Sequence, residues 1–126
     1  MILRGKVKSG SNNLSYWMER MEDLYYAKTG LHLYPGSLNV ELEEPYILPE
    51  DVIRIEKEEY GGIVSLSLCP CEIFGRKAFI LRTDRNASGK GEHPLTLIEI
   101  ITDIRLRDAH QLADGDVVEV SVGDGM

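Results

Sequence analysis

Ile63-Val64-Ser65-Leu66-Ser67-Leu68-Cys69 sets Val64, Leu66 and Leu68 alternately against serines, the period of a strand covered on one face and wet on the other. A helix would space its apolar residues by three and four. The same alternation marks Ile2–Lys8, Leu38–Leu42 and Val117–Val122, and short runs at 52–55, 63–71 and 77–81, while 95–102 reads as an almost wholly apolar strand broken by one carboxylate. Turn residues separate the runs: Tyr60-Gly61-Gly62, Phe74-Gly75-Arg76 and Asp114-Gly115. One segment has the other period. Over 15–29, Trp17, Met21, Leu24 and Tyr25 fall on one helical face, with Ser15 or Asn13 as N-cap and Gly30 as the stop. Residues 83–94 are polar, contain glycine and lack periodicity, so they are expected to form a mobile loop. Many short strands around one main α-helix imply a mainly β domain, a small closed β-barrel spanning residues 1–126.

The chain has 126 residues, 43% of them hydrophobic, and carries 14 basic against 21 acidic side chains, a formal charge of −7. A domain of this size buries roughly two thirds of its unfolded surface, enough for a core without staples. Its apolar runs stop far short of the ~20 residues of a membrane helix. The N-terminal residues enter the first strand pattern with no apolar leader, so no membrane partner and a cytoplasmic location are expected. The acidic balance, with a pI near 4.9, argues against a nucleic-acid partner, because duplex binding depends on Lys and Arg neutralising phosphates. A small anion remains possible, since a few backbone N–H groups and one or two Arg suffice locally. Cys69 and Cys71 flank Pro70. They are expected to be reduced, with side chains on opposite faces and one of them in the core.

Three places have the residue types for chemistry. After the first strand, Ser9-Gly10-Ser11-Asn12-Asn13-Leu14-Ser15 leads small residues into a helix start, where unpaired N–H groups can seat an anion; an ordinary capped turn would read the same. In Pro35-Gly36-Ser37-Leu38-Asn39, Ser37 and Asn39 are two apart and project to one face. Two neutral oxygens so placed can hold Mg²⁺ when phosphates and water complete its shell, or can simply satisfy the turn. Glu99 interrupts the apolar run Ile98-Glu99-Ile100-Ile101 and precedes Ile104-Arg105-Leu106-Arg107. A carboxylate there must pair with an Arg or meet a ligand.

In this order the places resemble the archaeal CTP-dependent riboflavin kinase family. The resemblance runs from Leu3 to Val122 and also takes in Gly5, Leu112 and Asp114-Gly115-Asp116-Val117. It implies a six-stranded cradle-loop barrel, and an Mg²⁺-dependent kinase that moves the γ-phosphoryl of CTP to the riboflavin 5′-hydroxyl, giving FMN and CDP. By the resemblance, Gly10, Ser11, Asn12, Asn13, Leu14 and Ser15 would wrap the nucleotide, and Ile104, Arg105, Leu106 and Arg107 would form its second segment. Ser37 and Asn39 would hold the metal, and Glu99 would contact the flavin; no catalytic residue is assigned. The first loop departs from the family in having one glycine and no lysine. Other readings stay open: a diverged, non-catalytic barrel that binds nucleotide or flavin, or a kinase of another small alcohol. A transcription regulator on a related barrel conflicts with the −7 charge. The protein is expected to work as a monomer.

Overall fold

A computed structural model describes residues 1–10, 14–91 and 93–123. The strands are β1 (Ile2–Lys8), β2 (Leu38–Leu42), β3 (Ile53–Ile55), β4 (Leu66–Ile73), β5 (Arg76–Thr83), β6 (Leu97–Ile101) and β7 (Val117–Val122). All pair antiparallel, in the order β3-β4-β5-β6-β2-β1-β7, and β4 also pairs with β7. That last pairing closes a six-stranded barrel. β3 lies on the first half of the β4 edge and β7 on the second.

Alternation builds two cores, one on each side of the wall. Val7, Val40, Cys69, Cys71, Ile80, Ile98, Ile100 and Val120 fill the barrel, while Phe79, Leu81, Ile101, Leu66 and Leu68 point outward beneath the helices. Strand β5 is therefore buried on both faces. Both cysteines are free and both lie in the barrel interior. The expectation of opposite faces is overturned, because a strand's period of two puts residues 69 and 71 on the same face.

The main helix is broken into α1 (Leu14–Arg20) and α2 (Glu22–Thr29) at Met21. Backbone bonds from Met21 N–H to Trp17 C=O and from Tyr25 N–H to Met21 C=O bridge the break. Gly30, at φ 76°, ends it and donates to Tyr26 C=O. Its buried stripe is Met18, Met21 and Tyr25, with Leu24 packed against the same core, so the expected face holds except at Trp17, whose place Met18 takes. Trp17 is 46% exposed and meets the rings of Tyr16 and Tyr60 edge-on instead. Phe74 and Gly75, at φ 54° and 72°, make the two-residue turn between β4 and β5. Residues 83–94 are not a structureless loop. Thr83 Oγ1 accepts from Asn86 N–H and caps a helical turn, α3 (Asp84–Ala87). A further turn, α4 (Leu106–Ala109), precedes β7. Among the described residues no helix is long and apolar enough to cross a membrane.

One buried cation closes an end of the barrel. Arg82 is 5% exposed, and its guanidinium donates to the carbonyls of Tyr46, Leu95 and Leu97. It ties two connections to the wall at the end of β6 that is remote from the site described next. Arg82→Met keeps the bulk and leaves those carbonyls without donors, which is expected to cost roughly 3 kcal/mol. The midpoint of urea unfolding measures this; an unchanged midpoint would mean that water serves the carbonyls equally well.

Candidate functional site

At the other end of the barrel, β1 runs out at Lys8 as β2 begins at Leu38, and the chain leaves β6 toward α4. These three passages border a cleft of about 470 Å³ lined by Ser9, Gly10, Ser15, Ser37, Asn39 and residues 104–107, among others. Residues up to nearly a hundred apart in the sequence, Lys8 to Arg107, are thus brought to one opening. Ser11, Asn12 and Asn13 lie outside the described residues. Leu14 packs against the core beneath the helices.

Ser37 and Asn39 do share a face: Ser37 Oγ donates to Asn39 Oδ1 at 3.3 Å. Asn39 is 5% exposed, so its amide is fixed by packing. Gly10 lies against that amide, and a Cβ on it would stand 1.8 Å from Asn39 Nδ2. The glycine after the first strand is therefore needed for contact with β2, a role that its place in a turn did not reveal. No group of three or more His, Cys, Asp or Glu side chains is placed to hold a metal among the described residues. Two neutral oxygens side by side suit an ion that takes most of its ligands from phosphates and water.

Cations border the cleft, each with a carboxylate partner. Lys8 Nζ is 3.2 Å from Glu41, Arg105 2.7 Å from Asp108 and Arg107 2.7 Å from Asp114. Asp114 also accepts from Ser9 Oγ at 2.7 Å. One carboxylate thereby joins the passage after β1 to α4, the two walls of the cleft. The Ser9 hydroxyl first, and Arg107 second, hold the Asp114 carboxyl below its ordinary range. Asp84 is likewise held low, by hydrogen bonds from Arg54. A carboxylate whose pKa is lowered by folding stabilises the fold above its unfolded value and loses that contribution as pH falls through the folded value. Urea midpoints are therefore expected to hold at neutral pH and decline below about pH 4, less steeply in Asp114→Asn. A decline of equal slope in that variant would show that the Ser9–Asp114–Arg107 link adds nothing.

Glu99 is on the outer face of β6, cross-strand from Asn39 on one side and Leu81 on the other. Its side chain is only 12% exposed. Its close partner is neither Arg105 nor Arg107, the candidates offered by the sequence, but His93, whose Nδ1 lies 3.2 Å from Glu99 Oε1. Nothing in the local sequence pointed to His93, because it sits in the stretch without periodicity. Beneath the same face, burial first, then Tyr60 and Glu99, push the Tyr25 phenol upward.

The model of the CTP-dependent riboflavin kinase domain, described as domain of unknown function DUF120, matches residues 7–122. The chain belongs to this family. It is 36% identical over 129 residues to a riboflavin kinase of Methanocella arvoryzae, covering 96% of this chain and 56% of that protein. Riboflavin kinases of Pyrobaculum aerophilum and Thermococcus kodakarensis are 31% and 30% identical, covering 95% and 96% of this chain and 60% and 58% of theirs. The chain thus spans little more than half the length of these relatives. The closed six-stranded barrel agrees with what the resemblance to CTP-dependent riboflavin kinases implies for the fold.

Proposed function

We propose that this riboflavin kinase domain transfers the γ-phosphoryl of CTP to the 5′-hydroxyl of riboflavin, giving FMN and CDP. The observation that carries this reading is the single cleft joining the passage after β1, the Ser37–Asn39 pair and residues 104–107, with Glu99 one strand beyond Asn39. The volume suits a nucleotide-sized ligand, within the roughly 300–1,000 Å³ common for such sites.

Phosphoryl transfer depends on alignment and charge neutralisation more than on covalent chemistry. Lys8, Arg105 and Arg107 supply positive charge at the opening, and the partly exposed side chain of Ile104 offers an apolar surface to the base. Ser37 Oγ and Asn39 Oδ1 are the residues that would hold Mg²⁺, which when bound supplies charge neutralisation on the phosphates. Glu99, on the adjoining strand, would accept hydrogen bonds from the acceptor alcohol.

Incubation with riboflavin, Mg²⁺ and either CTP or ATP, followed by separation of FMN from riboflavin, tests the reading. FMN is expected with CTP. Absence of product, with tight calorimetric binding of CTP or riboflavin, would favour a non-catalytic binding barrel.

A further inference from the structure

The three cations bordering the cleft each have a carboxylate partner, but the partnerships are built differently. Glu41 reaches Lys8 across two strands that already pair, and Asp108 reaches Arg105 within a single helical turn. Asp114 spans separate elements: Oδ2 accepts from Ser9 Oγ and Oδ1 from Arg107 Nη2, both at 2.7 Å. Its own place is set by backbone. The turn 113–116 is closed by Asp116 N–H on Ala113 C=O, and by Asp116 Oδ2, which accepts from Ala113 N–H at 2.8 Å. Two bonds tie that turn to the end of β1: Gly115 N–H donates to Val7 C=O, and Val7 N–H to Asp116 C=O, both at 2.8 Å. Asp114 therefore projects from a fixed frame.

Ser9 and Arg107, the two groups it holds, line opposite walls of the cleft. The Arg107 side chain is only 26% exposed. Ser9 immediately precedes Gly10, which is pressed against the Asn39 amide. A continuous path thus runs from the Arg107 guanidinium, through one carboxylate, to the passage after β1 and on to the candidate metal ligand.

We propose that Asp114 is a positioning residue for the donor nucleotide: by holding Ser9 with one oxygen and Arg107 with the other, it fixes the distance between the two segments that close on the phosphates. This rests on the kinase reading above. A carboxylate beside an anion site opposes phosphate by its charge. Asp114 offsets that cost by keeping both walls at one separation, the alignment on which phosphoryl transfer depends.

Steady-state kinetics on Asp114→Ala, Asp114→Asn, Ser9→Ala and Asp108→Ala test it, with calorimetric binding of CDP and Mg²⁺ as a readout free of turnover. In Asp114→Ala the KM for CTP and the Kd for CDP are expected to rise about 5- to 20-fold, with the KM for riboflavin within about twofold. The rise falls short of the roughly 100-fold that a misplaced group can cost, because exposed ion pairs are weak and the Asp114 side chain is 55% exposed. Asp114→Asn keeps an oxygen for Ser9 and loses the charge that holds Arg107, so it is expected to fall between wild type and Asp114→Ala. Adding Ser9→Ala to Asp114→Ala is expected to change little further, because both remove the same link. Asp108→Ala also takes a carboxylate from a cleft arginine but breaks no link between elements, and both KM values are expected to stay within about twofold.

An active wild type with an unchanged CTP KM in Asp114→Ala overturns this proposal alone. So does a lowered CTP KM, which would mean that Asp114 only competes with phosphate for Arg107. An equal rise in both KM values, or an equal rise in Asp108→Ala, overturns it too. Where CDP binds but no FMN forms, the kinase reading falls and the Kd ratio decides this proposal. A folded wild type that neither makes FMN nor binds CDP overturns both.

Discussion

Asn39→Ala is expected to lower FMN formation by about 100- to 1,000-fold, the scale for removing a group that acts on developing charge, while the barrel survives. The substitution removes the amide that accepts from Ser37 Oγ at 3.3 Å and faces the cleft beside Gly10. The neighbours Leu38 and Val40 still fill the barrel, so the structural loss is limited to one hydrogen bond, about 1 kcal/mol. Rate against Mg²⁺ concentration, measured beside the thermal midpoint, separates the two effects. Full turnover in this variant would remove Asn39 from the site, and with it the argument that β2 holds the metal.

Gly5→Ala is expected to have the largest effect on stability. Gly5 is paired on both sides, with Leu42 of β2 and Val118 of β7, so its strand cannot move away from either. A Cβ there would stand 2.4 Å from the Glu41 carbonyl oxygen and 2.8 Å from Val40 Cγ1. The first of these is backbone and has no rotamer to give. Overpacking against it is expected to cost about 3 kcal/mol or more, a large part of the roughly 5–15 kcal/mol that holds a domain together. Far-UV circular dichroism and the urea midpoint report it. An unchanged midpoint would show that β1 and β2 do not cross this closely. Three residues along the same pair of strands, Lys8 meets Asn39, so the approach that Gly5 permits also sets the register of the site.

Most strands were readable because each is a local pattern. Alternation at Leu38–Leu42 and Val117–Val122 needs only its own residues to be recognised, and Gly30 and Gly75 stop or turn the chain through their own φ angles. The face of the helix was legible at Met21, Leu24 and Tyr25 but not at Trp17, because either Trp17 or Met18 fits the spacing from Met21 and only packing chooses between them. The Ser37–Asn39 pair could be found from the strand period alone. Its neighbours could not. Gly10 against the Asn39 amide, Asp114 linking Ser9 to Arg107, and His93 against Glu99 each join residues from separate elements.

The sequence by itself determined a β-barrel, the positions of most of its strands and turns, and the oxygens of Ser37 and Asn39 on one face, since all of these follow from short-range periodicity and backbone preference. Tertiary structure alone decided that His93 lies against Glu99 and which glycine is pressed against Asn39. It also brought residues 8–10, 37–39 and 104–107 to one cleft. Barrel closure through β4 and β7 fixes those distances, and the free energy of a contact depends on where two groups meet in space, not on how far apart they lie in the chain.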